Sequence, residues 1–94
     1  MLGSILIVGG YGHVGRLIAK QLVDHSSESI IVAGRNVAKA QALAQHYPDR
    51  LSARQLDLAN PAQYAAALKG VKLVIVCVEQ QNHFFAAECF KRGI

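Results

Sequence analysis

The sequence predicts an α/β domain: a doubly wound parallel sheet of four strands in the order 3-2-1-4, with helices on both faces. Three observations predict it. Short apolar runs alternate with amphipathic stretches along the whole chain, a pattern that specifies parallel strands joined by right-handed helical crossovers. The first run, Ser4–Val8, passes directly into Gly9-Gly10-Tyr11-Gly12-His13-Val14-Gly15. The last, Leu73–Val78, is almost wholly apolar, as a strand buried on both faces must be.

Taken in order, Ser4-Ile5-Leu6-Ile7-Val8 reads as a strand covered on both sides. Val14, Leu17, Ile18 and Leu22 recur at helical spacing and give a first helix to about Asp24. Ile30–Ala33 is the second strand and ends at Gly34. Asn36 then caps a second helix whose inward stripe is Val37, Ala40, Leu43, Ala44 and Tyr47, and Pro48 stops it. Leu51–Leu56 carries Ser52, Arg54 and Gln55, which suits an edge strand with one wet face. Asn60-Pro61 is an N-cap followed by proline at the first helical position, and it starts a short helix with Tyr64, Ala65 and Leu68 inward. Gly70 ends that helix. After the fourth strand, Phe85, Ala86, Cys89 and Phe90 form the stripe of a fourth helix, closed by Gly93. The chain shows no internal repeat, low-complexity segment or linker.

Composition narrows the classes of function. A chain of 94 residues with 52% hydrophobic and 17% charged side chains is one packed domain, not a disordered segment. No apolar run approaches the roughly 20 residues of a membrane span, and the amino terminus leads into the glycine run without a cleavage site, so a cytoplasmic setting is expected. Ten Lys and Arg against six Asp and Glu give a net charge of +4. The basic residues are scattered, which argues against nucleic acid and suits an anionic small ligand. Cys77 and Cys89 make neither a disulfide framework nor a zinc site. His13, His25, His46 and His83 have no ligand spacing and read as surface or loop residues.

The glycine run carries the chemistry. Strand, then G-x-G-x-x-G, then helix is the context in which this spacing marks dinucleotide binding. Gly10 permits the tight turn, Gly12 lets the backbone approach a pyrophosphate, and Gly15 lets the helix lie against the strand. Gly10, Tyr11, Gly12, His13, Val14 and Gly15 are therefore candidate cofactor-binding residues, with the amides and dipole of the helix start favouring a phosphate. Dinucleotide domains selective for NAD place an acid at the end of the second strand, about 20 residues further on. Here the sequence is Ala33-Gly34-Arg35-Asn36. A carboxylate would repel a 2′-phosphate, whereas a guanidinium holds one with two hydrogen bonds. Arg35, with Asn36 beside it, points to NADP and makes NAD the less suitable cofactor; Lys39, a turn on, reads more simply as a solvated charge. Asp57 either faces the adenine or closes a turn with Asn60, two readings of equal weight. Cys77 and Val78 end the fourth strand where the nicotinamide-side ribose would lie, Cys77 as a packing residue. No base–nucleophile pair, carboxylate pair or metal set is visible, so any hydride chemistry belongs to the cofactor and the substrate groups lie elsewhere.

With these residues placed, the chain resembles the amino-terminal NADP-binding domain of the saccharopine dehydrogenase-like family. The likeness rests on Ile5–Gly15, Val32–Ala38, Leu56-Asp57-Leu58, Val74–Val78 and Ala86–Gly93. It implies a Rossmann domain that binds NADP through Gly10, Gly12, Gly15 and Arg35 with Asp57 near the adenine, and a carboxyl-terminal domain that supplies substrate contacts and often dimerisation. Residues 1–94 are then expected to be the amino-terminal fragment of a longer oxidoreductase. In the order 3-2-1-4 the fourth strand lies at an open edge although its composition is that of an interior strand, so self-pairing to a homodimer through that strand is also expected. Three other readings stay open. Gly9, Gly12 and Gly15 fit the G-x-x-G-x-x-G spacing of atypical short-chain reductases and their redox-sensing relatives. A non-catalytic nucleotide-sensing domain shares the fold, but Arg35 argues against the acid such domains keep. The last is a degenerate fold serving as an interaction domain.

Overall fold

The structure, a computed structural model, describes residues 3–9, 11–77 and 84–94. Four strands, β1 (Ser4–Val8), β2 (Ser29–Gly34), β3 (Leu51–Gln55) and β4 (Val71–Val76), form one parallel sheet in the order β3-β2-β1-β4. The crossovers are α1 (His13–His25), α2 (Val37–Ala44) and α3 (Tyr64–Leu68), and α4 (Phe84–Lys91) follows β4. The predicted fold class and strand order are therefore those of the molecule.

Period-two alternation sorts the two central strands onto two cores. Leu6, Val8, Ile31 and Ala33 face a cluster with Leu56, Tyr64, Ala67, Leu68, Phe85 and Cys89. Ile7, Ile30 and Val32 face the opposite cluster with Ala19, Ala40, Leu43 and Leu51. Both clusters are needed because β1 and β2 have no wet face, and each buried aliphatic side chain contributes about 1.5–3 kcal/mol of transfer free energy. Tyr64 meets Phe85 edge to face at 5.2 Å and donates its hydroxyl to the Leu58 carbonyl at 2.6 Å, so its polar tip is satisfied inside the core.

Several inward faces differ from the sequence expectation. In α1 the residues against the sheet are Gly15 and Ala19, while Val14 and Leu17 are more than half exposed. The small side chains let the helix axis approach the strands, and Ile18, Leu22 and Val23 pack along the flank instead. Before α3, a single 3₁₀ turn at Pro61–Gln63 changes the angular step per residue. The buried set becomes Tyr64, Ala67 and Leu68, and Ala65 turns outward. In α4 only Phe85 and Cys89 are buried; Ala86 and Phe90 face out, Phe90 being 86% exposed. The two buried residues, Phe85 and Cys89, join the cluster with Leu6 and Val8 of β1 and Ile31 and Ala33 of β2.

Helix α2 ends at Ala44, ahead of Pro48, in i→i+3 bonds from His46 and Tyr47 to the Leu43 and Ala44 carbonyls. Strand β4 starts two residues earlier than predicted, at Val71; its register against β1 shifts between Val71 and Leu73, opposite Ser4 and Ile5, and Leu73 is 48% exposed. Among the described residues no helix is long and apolar enough to cross a membrane, and no group of three or more His, Cys, Asp or Glu could hold a metal ion.

Candidate functional site

The register brings the carboxyl ends of all four strands to one edge. Val8 of β1 is paired with Ala33 of β2 and Val76 of β4, and Gly34 is paired with Gln55 of β3. The segments that follow them are stitched together by main-chain bonds: Gly9 N–H to Ala33 O (2.7 Å), Cys77 N–H to Val8 O (2.8 Å) and Leu56 N–H to Gly34 O (3.0 Å). This is the side of an open parallel sheet on which ligands bind.

The turn after β1 is made at Gly9, whose φ of 79° suits a residue without a Cβ. The Gly12 N–H returns to the Gly9 carbonyl at 3.0 Å, closing the turn. Gly10, for which the sequence predicts a role in this turn, lies outside the described residues. Gly12 is the N-cap of α1, and it brings no side-chain cap; the first turn also contains no acid. Among the described residues no side chain caps the leading amides of this helix of 13 residues, which leaves them to an anion. His13 and Val14 are exposed beside those amides, and Gly15 is buried against the sheet. The donor set and the open backbone fit a pyrophosphate.

Beyond β2, Arg35 and Asn36 are both exposed. The Arg35 carbonyl accepts from Gln55 Nε2 at 3.3 Å, and among the described residues its guanidinium has no ion pair. Asn36 caps α2 by accepting from the Lys39 N–H at 3.2 Å, as the sequence predicts. Its own N–H donates to the Tyr11 hydroxyl at 3.3 Å, which ties the glycine turn to the β2–α2 turn. Asp57 Oδ1 accepts from the Ala59 N–H at 2.9 Å, and the Asp57 carbonyl accepts from the Asn60 N–H at 2.9 Å. The carboxylate thus helps shape the turn after β3 at the ligand edge. Cys77 packs against the cluster below α1 and α2, and burial pushes its thiol up, so it stays protonated at neutral pH. Val78 lies outside the described residues.

One feature escaped the sequence reading. A groove of about 340 Å³ between α1 and α2 opens beside Tyr11 and is lined by Arg16, Lys39, Ala42, Leu43 and His46. Arg16 follows the last glycine of the motif directly, and only the packing of α1 beside α2 brings it to Lys39. The groove adds positive charge next to the turn that holds Arg35.

A glycine turn feeding a helix without a side-chain cap, and an arginine past the second strand with no ion pair among the described residues, are the pattern of a dinucleotide-binding domain of the Rossmann kind. The model of the saccharopine dehydrogenase NADP binding domain matches residues 5–93, and the chain belongs to that family. Its cofactor is NADP. Among solved structures it is similar to saccharopine dehydrogenase (L-Glu forming) from Saccharomyces cerevisiae, with TM-score 0.77 and 25% identity over 97% of this chain and 20% of that one. It is similar also to an NADPH-dependent quinone oxidoreductase from Escherichia coli, with TM-score 0.76 and 30% identity over 96% of this chain and 32% of that one. A short-chain dehydrogenase/reductase from Veillonella parvula shares the fold at 20% identity and TM-score 0.65, over 81% of this chain and 35% of that one. The chain thus spans about a third or less of the length of each.

Proposed function

We propose that this chain is the cofactor module of an NADP-dependent oxidoreductase of the saccharopine dehydrogenase-like kind. Gly10, Tyr11, Gly12, His13, Val14 and Gly15 form the cradle for the pyrophosphate, held by the leading amides of α1. Arg35, with Asn36, holds the 2′-phosphate by a bidentate contact, and Arg16 and Lys39 add to the positive field around it. Asp57 borders the adenine. Cys77 and Val78 border the nicotinamide-side ribose, where Cys77 acts through packing and not as a nucleophile. NADP supplies the hydride; the chain's residues bind and orient it, and the substrate is met by groups outside this domain, residues 1–94 serving as the amino-terminal module of a longer protein.

The observation that carries this reading is the exposed Arg35 guanidinium, without an ion pair among the described residues, one residue past a strand end that carries no acid. Thermal shift with NADPH and NADH in parallel tests it. NADPH at a hundredfold excess over its Kd should stabilise the fold by about 2.7 kcal/mol. Equal or greater stabilisation by NADH would refute it.

A cytoplasmic setting agrees with reduced Cys77 and Cys89. The open edge of β4 supports homodimerisation, either directly or through a further domain. A second reading, an atypical short-chain reductase or redox-sensing relative, is favoured by the G-x-x-G-x-x-G spacing of Gly9, Gly12 and Gly15, the first two being joined across the turn by the Gly12 N–H to Gly9 carbonyl bond. Both readings keep the same NADP site.

A further inference from the structure

We propose that Tyr11 determines cofactor choice by occupying the space that a side chain at the end of β2 would need. The inference deepens the NADP site described above and rests on it. A carboxylate at the end of the second strand binds the ribose 2′-hydroxyl of NAD, and its charge opposes a 2′-phosphate. In this chain that place falls to Gly34, the last residue of β2.

A Cβ at Gly34 would lie 2.6 Å from the Tyr11 hydroxyl oxygen and 2.8 Å from two of its ring carbons. A side chain there is admitted only if the tyrosine ring swings away. The ring is held by contacts on two sides. It packs against the apolar cluster beneath α1 and α2, and its hydroxyl accepts from the Asn36 N–H at 3.3 Å. Asn36 in turn caps α2, and the carbonyl of Arg35 is tied to Gln55 at 3.3 Å. The phenol therefore has two effects on one turn. It fills the volume of the acid that would select NAD, and it fixes the backbone on which Arg35 is mounted. Tyr11 is a positioning residue: it acts on the 2′-phosphate through Arg35 and on the ribose by excluding an alternative.

The test is a cycle of Kd measurements for NADPH and NADH with wild type, Tyr11→Phe, Tyr11→Ala, Gly34→Asp and the double variant Y11A/G34D. Tyr11→Ala should lower the preference for NADPH roughly tenfold, mostly through weaker NADPH binding. Tyr11→Phe keeps the ring but loses the bond to the Asn36 N–H, so its preference should fall between those of wild type and Tyr11→Ala. The double variant should bind NADH at least about fivefold more tightly than Gly34→Asp alone, because the acid then has its space. The inference is overturned if Gly34→Asp alone gains as much NADH affinity as the double variant, or if Tyr11→Ala leaves the preference unchanged. A ligand-free readout keeps the two claims separate. The Tyr11 ring should shift the Gly34 Hα resonances upfield in wild type and in Tyr11→Phe but not in Tyr11→Ala. Unshifted Gly34 resonances in wild type sink the role of Tyr11 by themselves, whereas shifted resonances with no binding of either dinucleotide sink the cofactor reading.

Discussion

Arg50 Nη2 donates to the Ser26 carbonyl at 2.6 Å, joining the residue before β3 to the C-cap of α1. The same guanidinium donates to the carbonyls of Val23 at 3.1 Å and Glu28 at 3.0 Å. The last carbonyls of a helix have no partner within it, and a cation there also meets the negative end of the dipole. Arg50 therefore locks the end of α1 to the sheet at the edge opposite the glycine turn.

Arg50→Ala should lower unfolding free energy by about 1–3 kcal/mol, the cost of leaving several carbonyls without a charged donor. In a domain of this size that is a fall in Tm of at least ~4 °C. Chemical denaturation measures the stability, and the NADPH Kd extrapolated to the fully folded population should not change. A large loss of affinity without loss of stability would place Arg50 in the wrong role.

Arg35→Asp should weaken NADPH binding by at least about tenfold and leave NADH binding equal or better, because the new carboxylate repels the 2′-phosphate and suits a 2′-hydroxyl. The wild-type NADPH affinity should also fall with added salt more steeply than the NADH affinity. Titration of both dinucleotides at two ionic strengths reads both effects. An unchanged preference would show that Arg35 is a bystander.

Stability should decline in alkali. Burial, with the nearby Asp57, raises the Tyr64 phenol above its ordinary range, and burial raises the Cys77 and Cys89 thiols. Each folded group holds its proton more tightly than in the unfolded chain. Their contribution is thus fully present below the unfolded pKa values and is lost as pH rises through the folded ones, from about pH 9 upward. Tyr64→Phe removes the phenol's share of that loss and, at neutral pH, costs about 1 kcal/mol for the bond to Leu58. Denaturation curves at neutral and alkaline pH should show a smaller decline for the variant; an equal decline would exclude Tyr64 as a cause.

The open side of β4 should drive self-association. Among the described residues its outer edge has no strand partner, and Leu73 of this strand is 48% exposed. Sedimentation velocity should show association that rises with concentration and is reduced in Leu73→Lys. A clean monomer at high concentration would contradict pairing through this edge.

What was legible in the sequence was what local chemistry decides. Asn36 and Asn60 accept hydrogen bonds from amides two or three residues ahead of them, so their capping roles could be read from the chain. The alternation in β1 and β2 sufficed because both faces are buried whatever covers them. Val14, Leu17, Ala86 and Phe90 were misplaced because helical spacing does not say how close a helix lies to its sheet or how much sheet lies beneath it. Arg54 was assigned to a wet strand face, yet its Nη1 donates to the carbonyls of Ala67 at 2.9 Å and Lys69 at 2.8 Å and closes the end of α3. At the site, the glycine motif and Arg35 were readable as a spacing. The Tyr11 contact with Asn36 spans 25 residues and Arg16 reaches Lys39 only through packing, so neither leaves a local signal.

Amide chemical shifts followed through an NADPH titration of the labelled chain test the NADP site most directly. The largest changes should fall on Gly12 to Gly15 and on Arg35 and Asn36, and NADH should reproduce the first group while leaving the second nearly unmoved. Changes centred on any other part of the sheet, or an identical response at Arg35 to both dinucleotides, would contradict it.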